Sequence, residues 1–102
     1  MLIRSTVQEN EIYYWKSPQQ EEVDFIIRRG IKIKQLIQVC YTIDDYDTKK
    51  REVKALLKAS KELKCKNLLV ITEDKEGEEK IDNKKIKYIP LWKYLCQEYK
   101  SY

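Results

Sequence analysis

Residues 21–41, EEVDFIIRRGIKIKQLIQVCY, contain the pattern that decides the fold. Val23, Phe25 and Ile27 alternate with their neighbours before Gly30, and a second alternating run follows that glycine. Period-two alternation with β-branched residues is typical of strands. The stretch therefore predicts strands over 22–29 and 33–42, joined by a turn at Gly30.

The pairing of these two strands can be argued from their polar residues. Asp24 and Gln38 interrupt the apolar pattern, so we expect them to share one face of the sheet. This pairing needs a loop of odd length, most simply residues 30–32, with Gly30 at positive φ. A two-residue turn at Arg29-Gly30 would instead place Gln38 among apolar side chains, because a one-residue slip moves every side chain to the other face. With the loop of odd length, the face opposite Asp24 and Gln38 would be formed by Val23, Phe25, Ile27, Ile37 and Val39.

The rest of the chain predicts a mixed α/β sheet: an antiparallel meander extended by a parallel strand after a crossover helix. EIYYWKS reads as a first strand, in which Tyr13 and Trp15 either pack in the core or form an aromatic binding platform. Leu2, Ile3 and Val7 resemble the end of a helix. The further elements are a helix over 48–64, a strand over 67–73 that is buried on both faces, an exposed loop over 74–85, a strand over 86–89 and a helix after Pro90.

The helix over 48–64 has an apolar face with Val53, Leu56 and Leu63 at three- and four-residue steps. Asp47 or Thr48 is the expected cap. The opposite face is basic, so it either tracks nucleic-acid phosphates or is only a solvated surface. The residues assigned to nucleic-acid binding are Lys50, Arg51, Lys54 and Lys58. The apolar face of the last helix is expected to comprise Leu91, Tyr94, Leu95 and Tyr99.

Composition narrows the function classes. The chain has 102 residues and a net charge of +4, which suits one small domain and permits a nucleic-acid partner. It has no histidine, so histidine-based catalysis and histidine zinc ligands are excluded. Cys40, Cys65 and Cys96 read as reduced, buried thiols of a cytoplasmic protein. No apolar run is long enough for a membrane span, so no membrane partner is expected.

Several stretches together resemble the C-terminal domain of a large group of bacterial and archaeal AAA-type ATPases, a domain of unestablished function. They are EIYYWKS (11–17), EVDFII (22–27), LIQVCY (36–41), KREVKALLKASKELKCKNLLVIT (50–72) and IKYIPLWKYL (86–95). The V-D-F strand followed by an apolar-Q-V-x strand also resembles the PD-(D/E)xK nuclease superfamily. These resemblances imply a restriction-endonuclease-like fold for residues 1–102, as one nuclease-like C-terminal domain of a larger ATPase.

The nuclease resemblance implies a site that is degenerate in this chain. Asp24 and Gln38 fall at the catalytic positions and Glu22 with Asp24 at the metal positions, but Cys40 stands where the superfamily has lysine. A neutral thiol cannot replace an ammonium group. Lys34 or Lys54 could fill that gap, and Mg²⁺ would be the metal if the site were active.

The expected function is therefore a non-catalytic module that binds DNA, a protein partner or the upstream ATPase part. The alternative is a metal-dependent nuclease that uses Asp24, Gln38 and a relocated lysine. The aspartates of residues 43–48 read as turn and cap residues, with metal binding as their alternative. With only Gly30 and Gly77, the chain has no Gly-rich phosphate loop, so ATP is expected only in an upstream domain.

Overall fold

A computed structural model describes residues 5–7 and 10–99 of the chain, with side chains described for residues 11–96. The elements are β1 Ser5–Val7, β2 Asn10–Lys16, β3 Glu22–Arg29, β4 Lys32–Val39, α1 Tyr46–Leu63, β5 Leu68–Thr72, β6 Gly77–Ile81, β7 Lys84–Pro90 and α2 Leu91–Tyr99. The first part of the described chain forms only strands, and helices occur only after β4. This order agrees with the predicted mixed α/β class.

All strands of the described residues join one seven-stranded sheet in the order β1-β2-β3-β4-β5-β7-β6. Strands β1 to β4 form an antiparallel meander, β5 is parallel to β4, and β7 is parallel to β5. Strand β6 closes the far edge antiparallel to β7. The predicted meander and the parallel strand after the crossover helix are thus confirmed.

The turn between β3 and β4 differs from the predicted three-residue loop. Arg29 pairs with Lys32, so the turn contains only Gly30 and Ile31, with Gly30 at φ 63°. A bulge then shifts the register between Ile27 and Arg28, after which Phe25 pairs with Ile37. The bulge supplies the odd residue that the turn lacks. The predicted parity at Asp24 and Gln38 is therefore correct, although the predicted loop length is wrong.

Two apolar cores lie on opposite faces of the sheet. Strand β5 is buried along its whole length and contributes Leu68 and Val70 to one core, Leu69 and Ile71 to the other. Helix α1 covers the first core through Val53, Leu56 and Ala59, and α2 covers the second through Leu91 and Tyr94. Alternate side chains of a strand point to opposite faces, so a strand between two helices must be apolar throughout.

The ends of the helices correct two predictions. Asp45, not Asp47 or Thr48, caps α1: its carboxylate accepts from the Asp47 backbone N–H at 3.2 Å and from the Thr48 hydroxyl at 2.7 Å. The Thr48 hydrogen bond, followed by the backbone bonds, lowers the pKa of Asp45. In α2, Leu95 is exposed instead of lying on the apolar face, and the side chain of Tyr99 lies outside the described residues.

Two segments have a structure that was not predicted. Val7 lies in strand β1 rather than at the end of a helix, while Leu2 and Ile3 lie outside the described residues. The predicted loop over 74–85 contains β6, the start of β7 and a two-residue turn at Asp82-Asn83. Both turn residues have positive φ, 52° and 64°, as type I′ hairpin turns require.

Trp15 is buried in the first core and Tyr13 packs against it, so the core interpretation of these aromatics is confirmed. Among the described residues, no helix has the length and apolar character needed to cross a membrane.

Candidate functional site

Asp24 and Gln38 face each other across β3 and β4, on the side of the sheet that α1 covers. Each side chain bonds the other strand's backbone. The Asp24 carboxylate accepts from the Val39 N–H at 2.8 Å, and the Gln38 amide oxygen accepts from the Asp24 N–H at 2.9 Å. These bonds extend the pairing of the two strands beyond Phe25 and Ile37. We call this pair of reciprocal bonds the strand brace.

The Gln38 amide is fully buried, and each of its polar atoms has a partner. Besides the oxygen bond to Asp24, its nitrogen donates to the Glu22 carbonyl at 2.8 Å and to the Glu52 carbonyl of α1 at 3.2 Å. One side chain thus connects two strands and a helix. The Gln38 amide oxygen would have to break its hydrogen bond with the Asp24 N–H before it could coordinate a metal ion. That N–H would then lack a hydrogen-bond partner, which costs free energy.

Cys40 is the residue that the sequence resemblance aligns with a nuclease lysine. It lies just after β4 instead of within the strand, and its backbone N–H donates to the Ile71 carbonyl at 2.8 Å. Its thiol is buried in the first core. Burial, followed by the nearby Glu52 charge, raises the pKa of the Cys40 thiol. The thiol is therefore neutral and supplies no positive charge beside Asp24.

Beside the strand brace, an open polar pocket of about 280 Å³ lies between β3 and α1. Its carboxylates come from Glu21, Glu22, Asp24 and Glu52, and Arg51 and Lys54 provide its cations. Burial raises the pKa of Glu52, and the charges of Asp24 and Glu22 add to this effect against the opposing charge of Arg51. We call this cavity the carboxylate pocket.

Glu52 is the site residue that sequence reasoning missed. Its position near the start of a helix is fully explained by the helix dipole, so the sequence offered no separate signal for a role in the pocket. Only the packing of α1 on β3 and β4 places it against Asp24. Glu22 also accepts a hydrogen bond from Tyr14, which raises the pKa of that tyrosine to about 12.

Of the two lysines that could replace the missing charge, only Lys54 lines the carboxylate pocket. Lys34 lies at the other end of β4, beside Arg29, Lys32 and Ile33. Within the described part of the chain, no group of three or more Asp, Glu, Cys or His side chains is arranged to hold a metal ion. The aspartates at 44, 45 and 47 lie in the turn and first residues of α1, where Asp45 serves as the cap.

The basic face of α1 is partly neutralised. Lys58 forms an ion pair with Glu21 at 2.6 Å, and its hydrogen bond lowers the pKa of that carboxyl group. Arg51 lies 4.0 Å from Glu52. Lys50 and Lys54 are exposed. Four carboxylates therefore accompany the predicted nucleic-acid residues along this part of the helix: Glu21, Glu22, Asp24 and Glu52.

A wider groove of about 430 Å³ separates α1 from β6. Its floor is apolar, with Val53, Leu57 and Ile81, and Glu79 bridges the two sides. Glu79 accepts from the Tyr88 hydroxyl at 2.8 Å and lies 3.4 Å from the Lys49 amine. These contacts hold the β6–β7 hairpin against the helix.

The three cysteines do not behave alike. Cys40 and Cys65 are free and buried, as predicted, whereas Cys96 is free and exposed on α2. The prediction of three buried thiols is therefore wrong for Cys96, because the apolar face of α2 does not extend to that residue.

Comparison with known proteins gives two matches. The family model described as "Domain of unknown function (DUF4143)" matches residues 1–94. An uncharacterised protein of Methanocaldococcus jannaschii is 44% identical over 92 residues, which cover 84% of this chain and 20% of that protein. The chain thus spans about a fifth of the length of this curated relative. No solved structure matches the chain.

Proposed function

This chain belongs to the DUF4143 domain family, and from that premise we propose that it is a non-catalytic module that binds DNA or a protein partner for an AAA-type ATPase. Domains of this family commonly occur in the C-terminal regions of such ATPases. The relative is about five times longer than the matched segment, which leaves room for an ATPase part in that protein. In this proposal the fold is restriction-endonuclease-like, ATP binds outside these residues, and the location is cytoplasmic.

The observation that carries the non-catalytic part of the proposal is the strand brace. The nuclease resemblance assigns Asp24 and Gln38 to catalytic positions, yet both side chains bond the backbone of the neighbouring strand. Hydrolysis of a phosphodiester needs carboxylate ligands for a metal and a cation beside the attacked phosphate. A neutral buried Cys40 and a fully bonded Gln38 amide provide neither.

A plasmid-nicking assay with Mg²⁺ or Mn²⁺ on the full-length protein tests this proposal. We expect no metal-dependent cleavage by the wild type. Cleavage that disappears in Asp24→Ala would contradict the non-catalytic assignment. We also expect no efficient cleavage by Cys40→Lys alone, because Gln38 stays neutral, and the double variant Cys40→Lys with Gln38→Glu serves as the comparison.

The carboxylate pocket favours a second candidate function, a metal-dependent nuclease of the PD-(D/E)xK type. Glu22, Asp24 and Glu52 carry oxygens of the kind that Mg²⁺ prefers, and Lys54 lines the same cavity. As placed in the described part of the chain these carboxylates do not form a three-ligand metal group, so this function requires their side chains to move together. In this alternative Lys54 replaces the missing lysine charge. Lys54→Met would then abolish nicking as completely as Asp24→Ala, whereas Lys34→Met would leave it unchanged.

A further inference from the structure

The sheet topology gathers lysines from three distant segments at one end of the molecule. Strands β4, β5 and β7 run parallel, with Leu36 beside Leu68 and Leu68 beside Ile86. Each segment carries a lysine two residues before these paired positions, namely Lys34, Lys66 and Lys84. The resulting set, which we call the basic end, comprises Lys32, Lys34, Lys64, Lys66, Lys84 and Lys85.

Contacts hold these segments at the same level. The Leu36 N–H donates to the Asn67 carbonyl at 3.0 Å, and the Asn67 side chain donates to the Lys34 carbonyl at 3.2 Å. Lys64 closes α1 in the left-handed conformation, with φ 57°, and so turns the chain toward β5. The lysines of the α1–β5 connection are therefore fixed beside those of β4.

The amines of the basic end are largely free of carboxylates. Lys32, Lys34, Lys64 and Lys66 are exposed, and in the described part of the chain none of these has a carboxylate oxygen within 4.0 Å. Lys85 lies 3.7 Å from Glu78. The acidic residues nearest in sequence are Glu62 and Asp82. A hollow of about 290 Å³ at this end is lined by Arg29, Lys32, Ile33 and Lys34.

The opposite end of the sheet carries more carboxylates than the basic end, so the charges of the described residues are partly separated. Segments that leave the carboxyl ends of β4 and β5, and the start of β3, contain most of them: Glu21, Glu22, Asp24, Asp44, Asp45, Asp47, Glu73, Asp74 and Glu76. A net charge of +4 hides this separation. A field of one sign at one end steers a polyanion to that end and repels it from the other.

We propose that the basic end binds the phosphate backbone of duplex DNA without reading its sequence. The β3–β4 and β6–β7 turns lie three strand spacings apart in the sheet, roughly 14 Å, which compares with a major groove about 12 Å wide. The row of lysines can thus reach phosphates on both sides of a groove. Lysine is depleted from protein interfaces, so a protein partner fits this end less well.

This inference rests on the proposed function as a binding module, and it moves DNA contact away from the α1 face. On α1 the candidate cations share their surroundings with four carboxylates, which would repel phosphates. At the basic end, the lysine amines of the connecting segments outnumber the nearby carboxylates. The basic end is therefore the stronger phosphate surface of the two.

Two variants of equal charge separate these surfaces. One replaces Lys32, Lys34, Lys64 and Lys66 by Gln, and the other replaces Lys50, Arg51, Lys54 and Lys58 by Gln. We expect the first to lose at least about 10-fold in affinity for a DNA duplex at about 50 mM salt, and to flatten the salt dependence by about 0.9 per lost contact. We expect the second to lose less than about 3-fold. An equal or greater loss in the α1 variant, or no binding by the wild type, overturns the proposal.

A further variant, Lys84→Gln with Lys85→Gln, tests the same end through the separate β6–β7 hairpin if the first variant fails to fold. It should weaken binding and reduce the salt slope in the same direction, and unchanged binding would contradict the proposal. Stronger competition by an RNA duplex of the same length would overturn the choice of DNA. Nicking activity lost in Asp24→Ala, with binding at the basic end intact, would refute the non-catalytic function and leave this inference standing.

Discussion

Gln38 contributes to stability through its hydrogen bonds, which join β3, β4 and α1. Gln38→Leu retains a side chain of similar volume. It leaves the Asp24 N–H and the carbonyl groups of Glu22 and Glu52 without their buried hydrogen-bond partner. Each unpaired buried group costs about 1–3 kcal/mol, so we expect the free energy of unfolding to fall by about 2–4 kcal/mol. Denaturant unfolding measures this difference. The matched control is Gln35→Leu on the partly exposed face, which should change stability by less than about 0.5 kcal/mol.

Glu52 makes stability depend on pH. Burial and the charges of Asp24 and Glu22 raise its pKa in the folded state, so the folded protein holds this proton more tightly than the unfolded chain. Its favourable contribution is complete below the ordinary carboxyl pKa of 4.5 and is lost as pH rises through the higher folded value. Glu52→Gln should therefore raise the Tm at pH 7 and leave it nearly unchanged at about pH 4. A lower Tm at pH 7 would contradict this assignment.

The thiols differ in their expected reactivity. Cys96 is exposed, whereas Cys40 and Cys65 are buried and the pKa of Cys40 is raised. Since the exposed thiolate is the reactive form, a thiol reagent should label Cys96 rapidly and the other two only after unfolding. Mass spectrometry of the labelled peptides distinguishes the sites, with Cys96→Ser as the control. Rapid labelling of Cys40 in the folded protein would contradict its burial.

The sequence pattern was enough to pair Asp24 with Gln38, because two polar residues that interrupt neighbouring apolar strands are expected on the same face of the sheet. It did not reveal that their side chains bond backbone groups, since that depends on the strands separating after Phe25 and Ile37. Glu52 could not be found at all. Its role depends on which turn of α1 lies over β3, and no local pattern records that.

The β6–β7 hairpin depends on its turn. Asp82 and Asn83 both have positive φ, which costs an ordinary L-residue about 1–2 kcal/mol. We expect Asn83→Val to destabilise the protein by about that amount, and Asn83→Gly to be neutral or to stabilise it by up to about 1 kcal/mol. Thermal unfolding of both variants checks the sign. A stabilising Asn83→Val would show that the turn has another conformation.

The elements with a strong apolar period were predictable, and those at the edges were not. Helix α1 and strand β5 were placed within a few residues, because burial dictates their patterns. Strand β6, GEEKI, lies at an exposed edge and is mostly charged, so it reads as a loop. In the β3–β4 hairpin, a bulge compensated for a turn one residue shorter than predicted, since burial of one face fixes the parity more firmly than the turn fixes its length.

The described part of the molecule partly separates its charges along the strand direction. In the sequence the lysines of the basic end are spread over residues 32–85, among many other charges. Only the parallel register of β4, β5 and β7 brings them to one end. The basic face of α1 was visible from helical periodicity alone, but the carboxylates of β3 that lie beside it were not. The positions of the charged surfaces could therefore be predicted only with the complete sheet topology.

We propose that Asp24 and Gln38 brace two strands and do not hold a metal ion. Thermal unfolding of the wild type with millimolar Mn²⁺, compared with EDTA, tests this most directly, because any ion that binds only the folded state raises the Tm by mass action. The control is Asp24→Asn, whose amide oxygen can still accept from the Val39 N–H. We predict the same wild-type Tm in both conditions. A saturable rise in Tm with Mn²⁺ that is absent in Asp24→Asn would contradict the claim.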